Sequence, residues 1–319
     1  MKAVVIREHG SYDKLLLEER PVPGPKANEV RVRIRAAALN HLDTWVRRGI
    51  PGFKFPLPII PGCDGAGTTD DGQDVVLAPG LGDPMDRDYG ILGETRDGTC
   101  AEFVVVPREN VLPKPARLSW EEAAAWPLTF LTAWAMLTRR AAVKPGEWVL
   151  VHAAGSGVGV ACVQMARLLG ARVIATASSE EKRRRALELG AEAAIPYEDF
   201  AREARKLSGK GGVDVVVDHL GPATWEGSVA ALRKGGRLVT CGGTTGHEIR
   251  FDLRHLFFKS LSFLGSTMGT LEELRTVLGH VEAGRLRPVV DSVFKLDEIR
   301  KAHERLSERS VFGKVVVVP

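Results

Sequence analysis

The residues best suited to chemistry lie in one segment, Val149–Ser179. In it, the apolar run Val149–His152 leads into a cluster of small residues, Ala153–Gly159, followed by an amphipathic stretch and a second apolar run, Arg172–Ala177. Strand, glycine turn, helix and parallel strand within about 30 residues form the βαβ unit that binds a dinucleotide pyrophosphate. Glycines let backbone N–H groups approach the phosphates, and the helix N-terminus adds its positive dipole. We therefore predict a dinucleotide-binding site here; the alternative is a tight turn without a ligand.

The composition is that of an ordinary globular protein, and its 319 residues are enough for two domains with a full core. The 44 basic and 40 acidic residues leave a net charge of only +4, spread along the chain. This dispersed charge argues against nucleic-acid binding. No apolar run approaches the roughly 20 residues that cross a bilayer, and the first residues do not resemble a signal peptide. We expect a soluble, cytoplasmic protein with neither a membrane nor a nucleic acid as partner.

Hydrophobic patterning divides the chain into a β-rich start, an α/β middle and a mixed tail. In the start, the run Glu29–Ala38 alternates apolar and charged residues, as a half-buried strand does. In the middle, near-continuous apolar runs such as Val213–Asp218 alternate with helical spacers, which is typical of a parallel sheet covered on both faces. The pattern predicts an α/β fold in which residues 1–117 and 267–319 form an irregular β-barrel. Residues 118–266 then form a doubly wound parallel-sheet domain.

Five motifs occur in a characteristic order: MKAVVIREHG, AALNHLDTWVRRG, PIIPGCDGAG, AGSGVG and the terminal FGKVVVVP. Over essentially its whole length the chain resembles the medium-chain dehydrogenase/reductase superfamily. It looks closest to the quinone oxidoreductase and zinc-independent alcohol-dehydrogenase-like branches. The resemblance implies a GroES-like catalytic barrel, a Rossmann domain and hydride transfer with NAD(P)H. It also implies a homodimer formed by the Rossmann domains, through strands around Leu261–Ser266.

The sequence departs from the alcohol dehydrogenases of that superfamily at the zinc ligands. Asn40 stands where their first ligand Cys would be, and Cys63, in G-C-D, stands at the position of their His. Zinc requires about three nitrogen or sulfur donors plus water, and Cys63 with Asp64 or Asp43 does not supply them. The segment Pro79–Gly98 is short and has no cysteine, so the structural zinc lobe is also missing. We expect no zinc.

Without a Lewis acid, hydride transfer requires an acceptor that is already electrophilic, such as a quinone or an α,β-unsaturated carbonyl, or a donor to the developing oxyanion. Asn40 matches the N-x-x-D motif of quinone reductases and could donate from its amide; alternatively, it satisfies local backbone groups in a turn. Asp43 is expected to be a structural hydrogen-bond partner. Trp45 could form a flat wall of the substrate pocket or pack in the core. His41 is a proton donor by type, with a structural role as its alternative.

The choice between NAD and NADP depends on the residues after the second strand of the βαβ unit, where an NAD site would have Asp or Glu. This chain has Ser178 and Ser179 there, followed by Lys182. Loss of the acid and gain of a cation favour the 2′-phosphate of NADPH, although NADH stays possible. Lys182 and Tyr197 also match positions that bind this phosphate in NADPH-dependent quinone reductases. Against this, Glu180 and its neighbouring glutamate would repel a phosphate if they faced it, and a charged helix face is usually solvated.

The resemblance assigns further positions to the cofactor. The three glycine positions of the G-x-G-x-x-G motif fall on Ala154, Ser156 and Gly159. Thr132 matches a threonine near the nicotinamide, with an ordinary helix residue as its alternative. Lys314, in F-G-K, belongs to a tail segment that closes on the cofactor, with an exposed strand charge as its alternative. The predicted cofactor-binding set is Thr132, Ala154, Gly155, Ser156, Gly157, Val158, Gly159, Ser178, Ser179, Lys182, Tyr197, Leu220, Gly221, Gly242, Gly243 and Lys314.

These observations predict an NADPH-dependent, zinc-independent reductase of quinones or other activated carbonyls, with Asn40, Asp43 and Trp45 as candidate catalytic residues. One alternative is an NAD-dependent alcohol or aldehyde dehydrogenase, which would oxidise an alcohol. A second is a nucleotide-binding protein without turnover, which would bind NADPH and reduce no acceptor.

Overall fold

The computed structural model describes residues 1–209 and 211–319, which form two units. The first unit comprises Met1–Leu131 and Gly269–Pro319, and the second comprises Thr132–Met268. The first unit thus extends to Leu131, whereas the hydrophobic pattern placed the boundary after residue 117. The reason is that the helix Trp120–Ala124 packs on strands of the first unit and belongs to it.

The strands and helices follow the order expected from the hydrophobic pattern. The strands are β1 Lys2–Val5, β2 Leu16–Glu19, β3 Glu29–Ala38, β4 Asp64–Thr69, β5 Asp74–Leu77, β6 Gly80–Leu81, β7 Gly90–Ile91, β8 Phe103–Pro107, β9 Val111–Pro113, β10 Trp148–Val151, β11 Arg172–Thr176, β12 Ala193–Ile195, β13 Val213–Val217, β14 Leu232–Thr240, β15 Ser262–Gly265, β16 Val290–Lys295 and β17 Lys314–Val318. The helices are α1 His41–Arg48, α2 Trp120–Ala124, α3 Pro127–Ala135, α4 Gly157–Leu168, α5 Glu180–Glu188, α6 Phe200–Ser208, α7 Pro222–Ala231, α8 Leu253–Lys259, α9 Leu271–Glu282 and α10 Ile299–Ser307. None of the helices in the described residues has the length and apolar character needed to cross a membrane.

The first unit is built around β3, the longest strand of a mostly antiparallel sheet. The sheet order is β16-β17-β3-β4-β5-β9, with β8 also paired to β3. Val32 and Ile34 of β3 are buried while Arg33 and Arg35 are exposed, which confirms the predicted period of two. Ala38 pairs with Asp64 of β4 on one side and with Val316 of the terminal strand β17 on the other. This register brings the beginnings of β4 and β17 to the end of β3.

The second unit is a six-stranded parallel sheet in the order β12-β11-β10-β13-β14-β15. Every residue of β13 is buried, because helices cover both faces of a doubly wound sheet. Strand order reverses between β10 and β13, and ligands of such sheets bind at the carboxyl ends of the strands at this switch point. The predicted Rossmann fold is confirmed, and its glycine turn lies at the switch point.

Candidate active site

In the first unit, helix α1 begins in a hydrogen-bonded turn that accounts for two predicted site residues. The backbone N–H of Asn40 donates to Oδ2 of Asp43 at 2.7 Å. Oδ1 of Asp43 accepts the backbone N–H of Gly62 at 2.9 Å. Asp43 is fully buried, and burial raises its pKa to about 6 in spite of these bonds. Asp43 therefore has the contacts of a structural partner, as its position in the sequence suggested.

A buried ionic group joins three elements of this unit; we call Asn40, Asp64 and Lys314 the Lys314 cluster. Lys314 donates from Nζ to Oδ2 of Asp64 at 2.9 Å and also to Oδ1 of Asn40. Its side chain is only 4% exposed and that of Asp64 is 0% exposed. Lysine is almost never buried to this degree unless it is paired. The reading of Lys314 as an exposed strand charge is therefore wrong, because the register of β17 places it against the carboxylate of Asp64.

The amide of Asn40 is engaged at both ends in this arrangement. Its Nδ2 group donates to Oδ2 of Asp64 at 3.0 Å and to the carbonyl of Ala38 at 3.4 Å, while its Oδ1 accepts from Lys314. An amide nitrogen carries two hydrogens, so both have partners inside the protein. The predicted donation from Asn40 to a substrate oxyanion would require one of these bonds to break. The ammonium of Lys314 has three N–H groups, and the two bonds described above use two of them.

His41 and Trp45 lie one turn apart on α1 and so share one face of the helix. His41 is exposed and Trp45 is half-buried. Nearby protein groups lower the pKa of His41 by desolvation, and the positive charge of Lys314 lowers it further. The lowered pKa favours a neutral imidazole there near neutral pH.

The residues at the expected zinc positions do not fit a zinc ion. Burial raises the pKa of the Cys63 thiol well above its ordinary value, whereas zinc binds the thiolate. Oxygen atoms of Asn40 and Asp64 already accept hydrogen bonds from an ammonium, so a second cation there would be repelled. Within residues 1–209 and 211–319, no three His, Cys, Asp or Glu side chains are grouped to hold a metal ion.

In the second unit, the segment Ala153–Gly159, here named the dinucleotide turn, connects β10 to α4. Ser156 precedes α4 and accepts the backbone N–H of Gly159 at 2.9 Å, which is a helix N-cap. A Cβ atom on Gly159 would lie 2.1 Å from the carbonyl oxygen of Ala153, so only glycine fits. The backbone of Ala153 itself has a φ of 47°. The turn is therefore as tight as the sequence predicted.

The dinucleotide turn presents unpaired backbone donors at the N-terminus of a 12-residue helix. Within the residues that the structure describes, the backbone N–H groups of Gly155, Gly157 and Val158 donate no hydrogen bond. Free N–H groups at a helix N-terminus bind phosphate, and the helix dipole adds to the attraction. The turn therefore fits a dinucleotide pyrophosphate.

Two further loops contribute at the carboxyl ends of β13 and β14. The backbone N–H groups of Leu220 and Gly221 donate to Oδ1 of Asp218 at 3.0 and 3.1 Å. Gly243 packs so closely on the carbonyl oxygen of Gly246 that a Cβ atom would lie 2.3 Å from it. Gly242 precedes it in the same loop. The predicted loop residues are thus at the edge of the sheet where ligands bind.

His219 is a residue of this edge that the sequence reading did not single out. Its Nε2 atom lies 3.0 Å from Oγ of Ser156, so it contacts the cap of the dinucleotide turn. The sequence feature that could have identified it is the polar pair Asp218-His219, which directly follows a fully buried strand. Polar residues at that point lie at the ligand-binding edge of a parallel sheet.

The end of β11 carries no acidic side chain, as the sequence indicates. Ser178 and Ser179 are exposed, and Ser179 caps α5 by accepting the N–H of Lys182 at 3.3 Å. Arg183 donates to the carbonyl of Ala177 at 3.3 Å and pairs with Glu180 at 2.6 Å. The guanidinium of Arg183 therefore lies near the end of β11 together with the carboxylate of Glu180.

Two predicted cofactor residues are held in internal contacts. Thr132 is buried and its Oγ1 lies 3.8 Å from the sulfur of Met268. Tyr197 accepts the backbone N–H of Ala153 at 3.1 Å, so its hydroxyl braces the dinucleotide turn. That contact had no signal in the sequence, because it joins residues 44 positions apart.

Comparison with known proteins agrees with this architecture. Residues 26–116 match the family model described as the alcohol dehydrogenase GroES-like domain, and residues 157–283 match that of the zinc-binding dehydrogenases. A probable quinone oxidoreductase of Schizosaccharomyces pombe is 32% identical, covering 99% of this chain and 96% of its own. The quinone oxidoreductase of Homo sapiens is 30% identical, covering 100% and 98%.

Two solved structures extend the comparison. A crystal structure described as an NAD-dependent alcohol dehydrogenase is 48% identical, with a TM-score of 0.97 and full coverage of both chains. A cobalt- and zinc-bound thermostable alcohol dehydrogenase from Pyrobaculum aerophilum is 34% identical, with a TM-score of 0.90 and coverage of 100% and 99%.

A GroES-like unit with a buried ionic group and a Rossmann unit with a pyrophosphate-binding turn define the class of NAD(P)H-dependent oxidoreductases. Relatives that match the full length of the chain assign it to one family within this class. The chain belongs to the medium-chain dehydrogenase/reductase superfamily, and the family and fold predicted from its motifs are confirmed.

Proposed function

We propose that this enzyme is an NADPH-dependent, zinc-independent reductase of quinones or other α,β-unsaturated carbonyls. The Lys314 cluster is the observation that carries the proposal. It places a fixed ammonium among the side chains at the zinc-ligand positions, bound to Asn40 and Asp64. Without a Lewis acid to polarise a simple ketone, the enzyme is suited to acceptors that delocalise the incoming charge themselves.

Each group of the chain has a defined part in this proposal. Bound NADPH supplies a hydride from C4 of its nicotinamide ring. The free N–H groups of the dinucleotide turn bind the pyrophosphate. Lys182 and Arg183 bind the 2′-phosphate beyond Ser178 and Ser179, and Arg183 also neutralises the nearby carboxylate of Glu180. The charge of Lys314 stabilises the oxyanion that forms on the acceptor.

A panel of acceptors and cofactors tests the proposal. Oxidation of NADPH and of NADH is measured with 1,4-benzoquinone, an enone and a simple ketone, each with and without a chelator. We expect NADPH to be oxidised fastest, the ketone to react slowest, and the chelator to have no effect. Faster turnover with NADH, or activity abolished by the chelator, would contradict the proposal.

Replacement of Lys182 by alanine is expected to lower kcat/KM for NADPH about tenfold, because a charge-assisted hydrogen bond to a phosphate is lost. kcat/KM for NADH should not change, since NADH has no 2′-phosphate. Arg184→Ala is the matched control, because Arg184 is on the same helix, 62% exposed and paired with Glu188. Equal losses for NADPH and NADH would show that Lys182 does not read the 2′-phosphate.

An NAD-dependent alcohol dehydrogenase is the second candidate, favoured by the 48% identical structure described in those words. It predicts oxidation of alcohols with NAD and little reduction of quinones. A binding protein without turnover would instead bind NADPH and leave every acceptor of the panel unchanged. The same panel, with an alcohol and NAD added, therefore separates all three.

We further propose that two copies associate through the second unit. Strand β15 is at one edge of the parallel sheet, and an exposed edge can pair with another chain. The preceding helix, α8, exposes Leu253, Phe257 and Phe258 to 65%, 60% and 70%. Large apolar side chains exposed together are typical of an interface.

Replacement of both Phe257 and Phe258 by glutamate is expected to convert the dimer into a monomer, because charges would be desolvated at the interface. Size-exclusion chromatography with light scattering measures the mass. Leu187→Glu is the control, since Leu187 is 46% exposed on α5 and should leave the dimer intact. A dimer that survives the double replacement would refute this interface.

A further inference from the structure

Four side chains of the second unit form a continuous hydrogen-bonded chain: Thr176, His152, Ser228 and Asp218. Nδ1 of His152 lies 2.9 Å from Oγ1 of Thr176, and Nε2 lies 2.9 Å from Oγ of Ser228. Ser228 donates to Oδ2 of Asp218 at 2.6 Å. The side chains of His152 and Ser228 are fully buried.

The carboxylate at the end of this chain determines which atom donates the proton in each hydrogen bond. An ionised Asp218 only accepts, so the hydroxyl proton of Ser228 points to it. Nε2 of His152 must then donate to Ser228, which leaves Nδ1 to accept the proton of Thr176. Burial also lowers the pKa of His152 to about 4, which keeps the ring neutral near neutral pH.

The two ends of the chain hold backbone that forms the dinucleotide site. At one end, the backbone carbonyl of Thr176 accepts the N–H of Ala154 in the dinucleotide turn at 3.0 Å. At the other end, Asp218 accepts the N–H groups of Leu220 and Gly221. The side-chain network therefore connects the turn after β10, the end of β11 and the loop after β13.

We propose that His152 is a positioning residue for the dinucleotide: it holds these three segments in the geometry that binds the cofactor, without touching the cofactor itself. This inference rests on the dinucleotide binding of the proposed function. A neutral histidine with a fixed tautomer can link Thr176 to Ser228, because one ring nitrogen accepts a hydrogen bond and the other donates one.

Replacement of Thr176 by valine keeps the shape of the side chain and removes the link to His152. We expect Kd for NADPH, followed by quenching of protein fluorescence in the full-length enzyme, to rise about tenfold. Thr176→Ser restores the hydroxyl and should restore the affinity. His152→Phe keeps an aromatic ring against Phe200, 4.7 Å away between ring centroids, and should weaken binding like Thr176→Val. At saturating NADPH, kcat should stay near that of the wild type.

Val229→Ala is the control for a purely structural effect, because Val229 is a buried core residue of the same unit without a part in the chain. It should lower the melting temperature and leave Kd unchanged. The inference is overturned if folded Thr176→Val and His152→Phe bind NADPH as the wild type does, or if Val229→Ala weakens binding equally. If the wild type binds neither NADPH nor NADH, the proposed function fails instead.

Discussion

Replacement of Lys314 by methionine is expected to lower the free energy of unfolding by about 3–5 kcal/mol, because it leaves a buried carboxylate without its cation. Asp64 is 0% exposed and its Oδ2 accepts from both Lys314 and Asn40. Methionine fills similar space but supplies no charge. Asp64 must then be protonated or hydrated, and either change disturbs the end of β3. Urea-induced unfolding of the full chain measures this decrease in the free energy of unfolding.

A second substitution separates the stability effect from the effect on catalysis. In the double variant Lys314→Met with Asp64→Asn, no charge is left unpaired, so we expect most of the lost stability to return. The rate of quinone reduction should not recover, because the fixed positive charge is still missing. We expect this rate to stay about 10²-fold below that of the wild type. Lys301→Met is the control, since Lys301 is 68% exposed and its pair with Glu298 contributes little. Full activity in the double variant would remove Lys314 from the mechanism.

Replacement of Gly159 by alanine is expected to abolish measurable dinucleotide binding and to destabilise the second unit by about 3 kcal/mol or more. The added Cβ atom would lie 2.1 Å from the carbonyl oxygen of Ala153 and 2.8 Å from Cα of Ala154. Both contacts are with backbone, so no side-chain rotation relieves them. The dinucleotide turn must open, and its free N–H groups no longer converge on the pyrophosphate.

The matched control is Gly279→Ala, the same chemical change inside helix α9. A Cβ atom at Gly279 meets nothing within 4 Å. Alanine favours a helix over glycine by about 1 kcal/mol, so this variant should be slightly more stable and bind NADPH normally. Isothermal titration with NADPH and thermal unfolding report both effects. Wild-type affinity in Gly159→Ala would show that the turn is not the pyrophosphate site.

Local pattern was sufficient to predict the elements that carry the site. The alternating run Glu29–Ala38 is strand β3 with its predicted bounds, and the terminal run Lys314–Val318 is β17. The small residues Ala153–Gly159 form the turn between β10 and α4 as expected. These predictions succeed because side-chain periodicity and glycine conformation are properties of neighbouring residues. The pattern alone does not show that α2 packs on strands of the first unit, because that contact joins distant residues.

The sequence by itself determined the family, the Rossmann and GroES-like architecture, and the position of the dinucleotide turn. Only the tertiary structure decided which groups Lys314 and His152 contact. Lys314 and Asp64 are 250 residues apart, and their pairing depends on the register of β17 and β4 against β3. His152 and Ser228 are 76 residues apart and meet where helix α7 packs on the parallel sheet. A buried charge or polar group finds its partner through such long-range packing, which no local pattern of residues encodes.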